Sequence, residues 1–112
     1  MQALVLNQRQ QAWYEFNEGN FVELDALPGG ELIRQGVEDL AAGRESEAAL
    51  LVLIGSPRLR RLGLALPADV AGNAEHRLYE LLARSDPDSA HSRYNALIRR
   101  LVRFERAAEC VA

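Results

Sequence analysis

The chain has 112 residues, enough for one hydrophobic core and too few for two. Its apolar fraction of 48% and charged fraction of 26% exclude wholesale disorder, and its net charge of −3 argues against a coat for nucleic acid. One cysteine, Cys110, excludes an intramolecular disulfide, and the start Met1-Gln2-Ala3-Leu4-Val5 lacks the basic and apolar regions of a secretory signal, so a reducing, cytoplasmic setting is expected. All 13 basic residues are arginine, a usage expected of a GC-rich bacterial genome. Charge is unevenly placed, with a balance of −6 over residues 1–55 and +3 over residues 56–112.

Taken in order, residues 3–18 place Val5, Ala12, Trp13 and Phe16 on one helical face, which predicts an amphipathic helix ending at Gly19-Asn20. Residues 20–30 carry Phe21, Val22, Leu24 and Leu27, which alternate in part, before Pro28-Gly29-Gly30, and read as a packed connector, with an extended form as the alternative. Trp13, Tyr14, Phe16 and Phe21 together read as an aromatic part of the core. From Glu31 to Ala42, Leu32, Ile33, Val37, Leu40 and Ala41 recur at helical spacing, and Gly43 supplies a stop.

Ala48-Ala49-Leu50-Leu51-Val52-Leu53-Ile54 is the one long run without a polar residue. Seven residues fall far short of the roughly 18–20 that cross a bilayer, so the run is expected to be buried in protein. Acidic Glu45 and Glu47 at its start and its content of Ala and Leu predict a helix over 46–54. The competing picture is a strand followed by a nucleotide-binding turn, but neither G-x-G-x-x-G nor a P-loop pattern follows Ile54. A DNA-binding helix-turn-helix also fails, because the second helix would be almost wholly apolar, with nothing to reach base edges.

Ser56-Pro57 reads as a new helix start, running to Leu62 and ended by Gly63. Leu59, Leu62, Leu64 and Leu66 beside it form a candidate apolar docking surface. Residues 67–72 read as a turn or a short helical piece, and Asn73 as the cap of a helix through Ala83. Asp86-Pro87-Asp88 predicts the start of a last helix, Pro87 to Glu109. In it Tyr94, Leu97, Leu101, Phe104 and Ala108 form one stripe, and Arg93, Arg99, Arg100, Arg103 and Arg106 fill the opposite arc. Glu105 falls inside the apolar arc and is expected to meet an inward arginine or a subunit contact. The expected fold is thus all-α, a single-domain bundle over residues 1–112 of about five helices around the central apolar helix.

Candidate chemistry is sparse. Arg84-x6-His91 resembles the Arg and His pair of HEPN-type ribonucleases, small helical bundles; the resemblance covers two residues and implies a phosphate-acting site in which His91 exchanges protons while Arg84 stabilises phosphate charge. His76, His91, Glu75, Asp86, Asp88 and Cys110 are possible metal ligands but lack any H-x-x-x-H, H-E-x-x-H or C-x-x-C spacing, so neither metal nor cofactor is expected. The function expected is therefore a non-enzymatic protein–protein interaction module, an accessory or regulatory subunit or a homodimer, using Arg93, Arg99, Arg100, Arg103 and Arg106 or Leu59 and Leu62. The alternatives are a ribonuclease-like enzyme relying on Arg84 and His91, and a nucleic-acid binder through the arginine face.

Overall fold

The computed structural model describes residues 4–6, 12–16, 20–68 and 71–111, with side chains over residues 24–68 and 71–110. The first segment departs from the expected helix. It forms three short strands, β1 (Leu4–Leu6), β2 (Ala12–Phe16) and β3 (Asn20–Glu23), in one antiparallel sheet of order β1-β2-β3. Val5 pairs with Trp13, and Tyr14 pairs with Val22. The reason lies in residue type: Val5, Trp13, Tyr14, Phe16, Phe21 and Val22 are β-branched or aromatic and favour a pleated surface, and so few apolar residues fit a period of 2 as readily as one of 3.6. The aromatic cluster of Trp13, Tyr14, Phe16 and Phe21 lies outside the described side chains.

From residue 24 onward every regular element is helical, which is the class expected, with four α-helices rather than about five. A 3₁₀ turn (Leu24–Ala26) leads into α1 (Gly30–Ala41), then α2 (Glu47–Arg61), α3 (Ala74–Ser85) and α4 (Ala90–Val111). Ser46 begins α2: its backbone is extended and its Oγ accepts the N–H of Ala49 at 3.1 Å, satisfying one of the donors that a helix start leaves over. Glu47 in the first turn and Arg58, Arg60 and Arg61 in the last complement the helix dipole.

The central helix does not end at Ile54. α2 continues to Arg61 with Pro57 inside it, so Ser56 is no cap but a buried residue in mid-helix. Proline lacks the N–H that would reach the carbonyl of Leu53, a defect costing about 3 kcal/mol in a helix interior. Burial offsets it, because Leu59 is fully enclosed and Leu62 nearly so, and both belong to the face that Leu51 and Val52 began. α2 packs against α1, α3 and α4 in turn. It approaches α1 closely at Gly36, where an added Cβ would stand 2.3 Å from the carbonyl oxygen of Ala48.

One expected start holds in place and one is displaced. Asn73 precedes α3 as expected, but in a left-handed conformation (φ 55°) and with no side-chain capping bond. α4 begins at Ala90 rather than Pro87, since Asp86 folds residues 87–89 into a turn by accepting from the Ser89 hydroxyl at 2.9 Å and the Asp88 N–H at 3.2 Å. The core joins Leu24, Ile33, Leu50, Leu51, Val52, Leu59, Leu78, Leu82 and Phe104, all essentially without solvent contact. Tyr79 and Tyr94 tie α3 to α4 at its edge, with ring centroids 5.9 Å apart and tilted by 55°.

Candidate functional site

Leu59, Leu62 and Leu64 cannot form a docking surface. They are 0%, 7% and 2% exposed, enclosed by the helices on either side, which corrects the expectation that this segment offers free apolar surface. The same helical spacing marks a buried face and a sticky one, and only the placement of the neighbouring helices tells them apart.

Arg84 and His91 are both exposed, on the last turn of α3 and the first turn of α4. Arg84 lines a cleft of about 200 Å³ with Glu45, Arg77 and Glu80, and His91 is not among its walls. His91 Nε2 instead lies 3.2 Å from Asn95 Nδ2. The adjoining hollow of about 190 Å³ is lined by Leu40, Ala49 and Leu53 with Arg44, Glu45 and Arg77. Its charged walls already have partners: Arg77 meets Glu45 at 3.1 Å, and Arg44 meets Asp39, outside the hollow, at 2.8 Å. His76 is held by Glu80 at 3.0 Å, one helical turn away. Among the described residues no group of three or more His, Cys, Asp or Glu is placed to hold a metal, and no helix is long and apolar enough to cross a membrane.

Two buried carboxylates have structural surroundings. Asp39 accepts from Gln35 at 3.0 Å, from Arg44 Nε at 3.1 Å and Nη2 at 2.8 Å, and from the Ser46 hydroxyl at 2.6 Å. It thereby fastens the α1–α2 turn to the α2 cap, and the Ser46 hydroxyl, with Arg44 beside it, holds its pKa below the ordinary value of 3.8. Glu105 is 5% exposed and meets Arg58 at 3.5 Å, the inward arginine expected for it. Burial raises its pKa above the ordinary 4.5; Arg58 opposes that shift and neighbouring Glu109 adds to it. Gly55 makes the room: an added Cβ there would meet Leu101 Cδ1 at 2.8 Å and Glu105 Oε2 at 3.2 Å.

The arginine arc of α4 divides into two parts. Arg93 is half-buried and turned to Glu47 of α2 at 3.2 Å, so it serves the monomer's own packing. Arg99, Arg100, Arg103 and Arg106 are exposed, and among the described residues none of the four has a carboxylate partner. At about 100° per residue, Arg99, Arg103 and Arg106 share one narrow stripe, with Arg100 about 100° around the helix from Arg99. Arg99, Arg103 and Arg106 border a shallow groove of about 310 Å³ whose floor is Ile98 and Val102, both half-buried. That apolar pair, one helical turn apart, was missed as part of a site, although its spacing beside the arginine row is visible in the chain. The groove offers donors in a fixed array over a small apolar strip and has no nucleophile or general base among its walls, which suits binding rather than bond-making. Comparison with protein-family models, with curated proteins and with solved structures finds no match.

Proposed function

We propose that the chain is a non-enzymatic protein–protein interaction module that docks a partner through the outer face of α4. One contrast carries the reading. Among the described residues, Arg34, Arg44, Arg58, Arg77 and Arg93 each meet a carboxylate, whereas Arg99, Arg103 and Arg106 meet none and stand together beside an apolar floor; Arg60, Arg61, Arg84 and Arg100 also meet none but lie outside that groove. Unpaired guanidinium groups in a row on one helix face present planar, forked donors to an acidic surface without first breaking an ion pair of their own, and they speed encounter with it. The exposed thiol of Cys110 supports a reducing, cytoplasmic setting.

The test compares the wild type with the triple variant R99E/R103E/R106E, all three sites being solvent-facing. Each is used to retain proteins from a lysate of the source cells at low and high salt, with and without nuclease. The wild type is expected to retain a partner in stoichiometric amount, released by salt and untouched by nuclease, and the variant to retain none. A wild-type protein that retains nothing, or whose bound material vanishes with nuclease, overturns the proposal.

A further inference from the structure

Resting on that reading, we infer that the partner presents an acidic amphipathic helix, laid along α4 with its apolar residues on Ile98 and Val102 and its carboxylates against Arg99, Arg103 and Arg106. The three arginines recur at i, i+4 and i+7, a rise of about 10 Å along the axis. A second helix whose acids follow the same period meets all three, whereas one face of an extended strand repeats every 6.4–6.8 Å or so and falls out of step with the shorter second gap of about 4.5 Å. Ile98 and Val102 form a ridge of the i, i+4 kind, the row of side chains that helices interlock when they pack.

The apolar floor separates this occupant from nucleic acid. A phosphate backbone would use the arginines and leave Ile98 and Val102 uncovered, and Tyr79, the exposed large hydrophobic residue among those described, lies on α3 instead. A second copy of the chain is the competing occupant. Among the described side chains of the negative half, Asp25 and Glu38 are engaged with Arg34, Asp39 with Arg44, Glu45 with Arg77 and Glu47 with Arg93, while Glu31 is not. A wild-type dimer in sedimentation that R99E/R103E/R106E abolishes overturns the acidic-helix occupant in favour of a second copy.

The probe is a labelled synthetic peptide of 18 residues whose leucines recur every three and four positions with glutamates flanking them. Its controls are a scramble of the same composition, poly-glutamate and a single-stranded RNA of similar charge. Anisotropy titration of the wild type is expected to give at least about tenfold tighter binding to the amphipathic peptide than to any control, a difference of about 1.4 kcal/mol. R99E/R103E/R106E and Val102→Ser are each expected to erase that preference while leaving the helical circular dichroism unchanged. Equal binding of the peptide and its scramble, tighter binding of the RNA, or a preference that survives Val102→Ser overturns the inference. If the triple variant still loses its lysate partner in that case, α4 remains a docking face for a partner of another shape; if it does not, both readings fall.

Discussion

Replacing Gly36 by alanine tests how the two largest contact surfaces of the bundle meet. An alanine Cβ at this site would lie 2.3 Å from the carbonyl oxygen of Ala48, 2.5 Å from Val52 Cγ2 and 2.8 Å from the Ala48 carbonyl carbon. Attractive contacts between such atoms lie at about 3.5–4.0 Å, so the overlap exceeds about 1 Å. Two of the three obstructing atoms are the Ala48 carbonyl, backbone in the first turn of α2 next to the Ser46 cap, and cannot swing aside as the Val52 side chain could. α1 must therefore move off α2, and a gap of about 1 Å forfeits up to half of the dispersion energy across that contact. Overpacking of this kind costs about 1–3 kcal/mol, and contact with backbone points to the upper end. Alanine recovers about 1 kcal/mol of helix propensity, leaving a net loss of about 2 kcal/mol. Thermal unfolding followed by circular dichroism should show Tm falling by roughly 10 °C. Gly43→Ala shows the other way a glycine can be needed: it has nothing within 4 Å but a φ of +75°, so it should show a comparable loss of about 1–2 kcal/mol from its left-handed backbone alone. A Gly36→Ala protein melting at or above the wild-type temperature would refute the reasoning.

Asp39→Asn should cost about 1–3 kcal/mol, since it weakens the charged hydrogen bonds from Arg44 and Ser46; urea titration at pH 7 measures it. Because the folded pKa of Asp39 lies below 3.8, its contribution is complete above about pH 4 and is lost as pH falls through the folded value, a decline that the asparagine variant should lack. Glu105 acts in the opposite direction: its folded pKa lies above 4.5, so the native state binds the proton more tightly and stability falls as pH rises through that window. Glu105→Gln should remove this fall, and a variant whose stability still declines there shows that another group is responsible. Pro57→Ala restores an N–H to the carbonyl of Leu53 at an exposed position and should raise stability by about 1–3 kcal/mol; a lower denaturation midpoint shows that the proline ring itself is needed.

What could be read from the chain depended on whether a signal was local. α1, the start of α2 and the existence of α3 were legible because a 3.6-residue period coincides there with a cap or a stop: Ser46 before Glu47, Gly43 after Ala41 and Asn73 before Ala74. Ser56-Pro57 misled because the same dipeptide suits a helix start and an interrupted interior. The choice is made by the burial of Leu59 and Leu62 against other helices, which no local rule contains. The strands at the N-terminal end were illegible for a related reason. Val5 is matched to Trp13 and Tyr14 to Val22 by pairing across the sheet, while the apolar residues of any one strand are too few to declare a period.

The arginine face was legible as periodicity but not as availability. Whether a guanidinium is spent inside the monomer depends on carboxylates far away in sequence: Glu47 faces Arg93, Glu45 faces Arg77, and Glu105 and Glu109 face Arg58. Two of these links, to Glu47 and Glu45, join the acidic half of the chain to the basic half, so the excess of the basic half falls from +3 to +1 and that of the acidic half from −6 to −4. Charge asymmetry in the sequence is thus a poor measure of what a partner would meet. The better measure is the cations left over once the fold has made its own pairs, and on α4 that remainder is a contiguous row beside two half-buried aliphatic residues. Such a remainder is worth little to the folded monomer, since exposed charges of one sign contribute about nothing or repel slightly. Charge reversal at Arg99, Arg103 and Arg106 should therefore leave Tm nearly unchanged while abolishing binding, a separation that a merely solvated helix face would not produce.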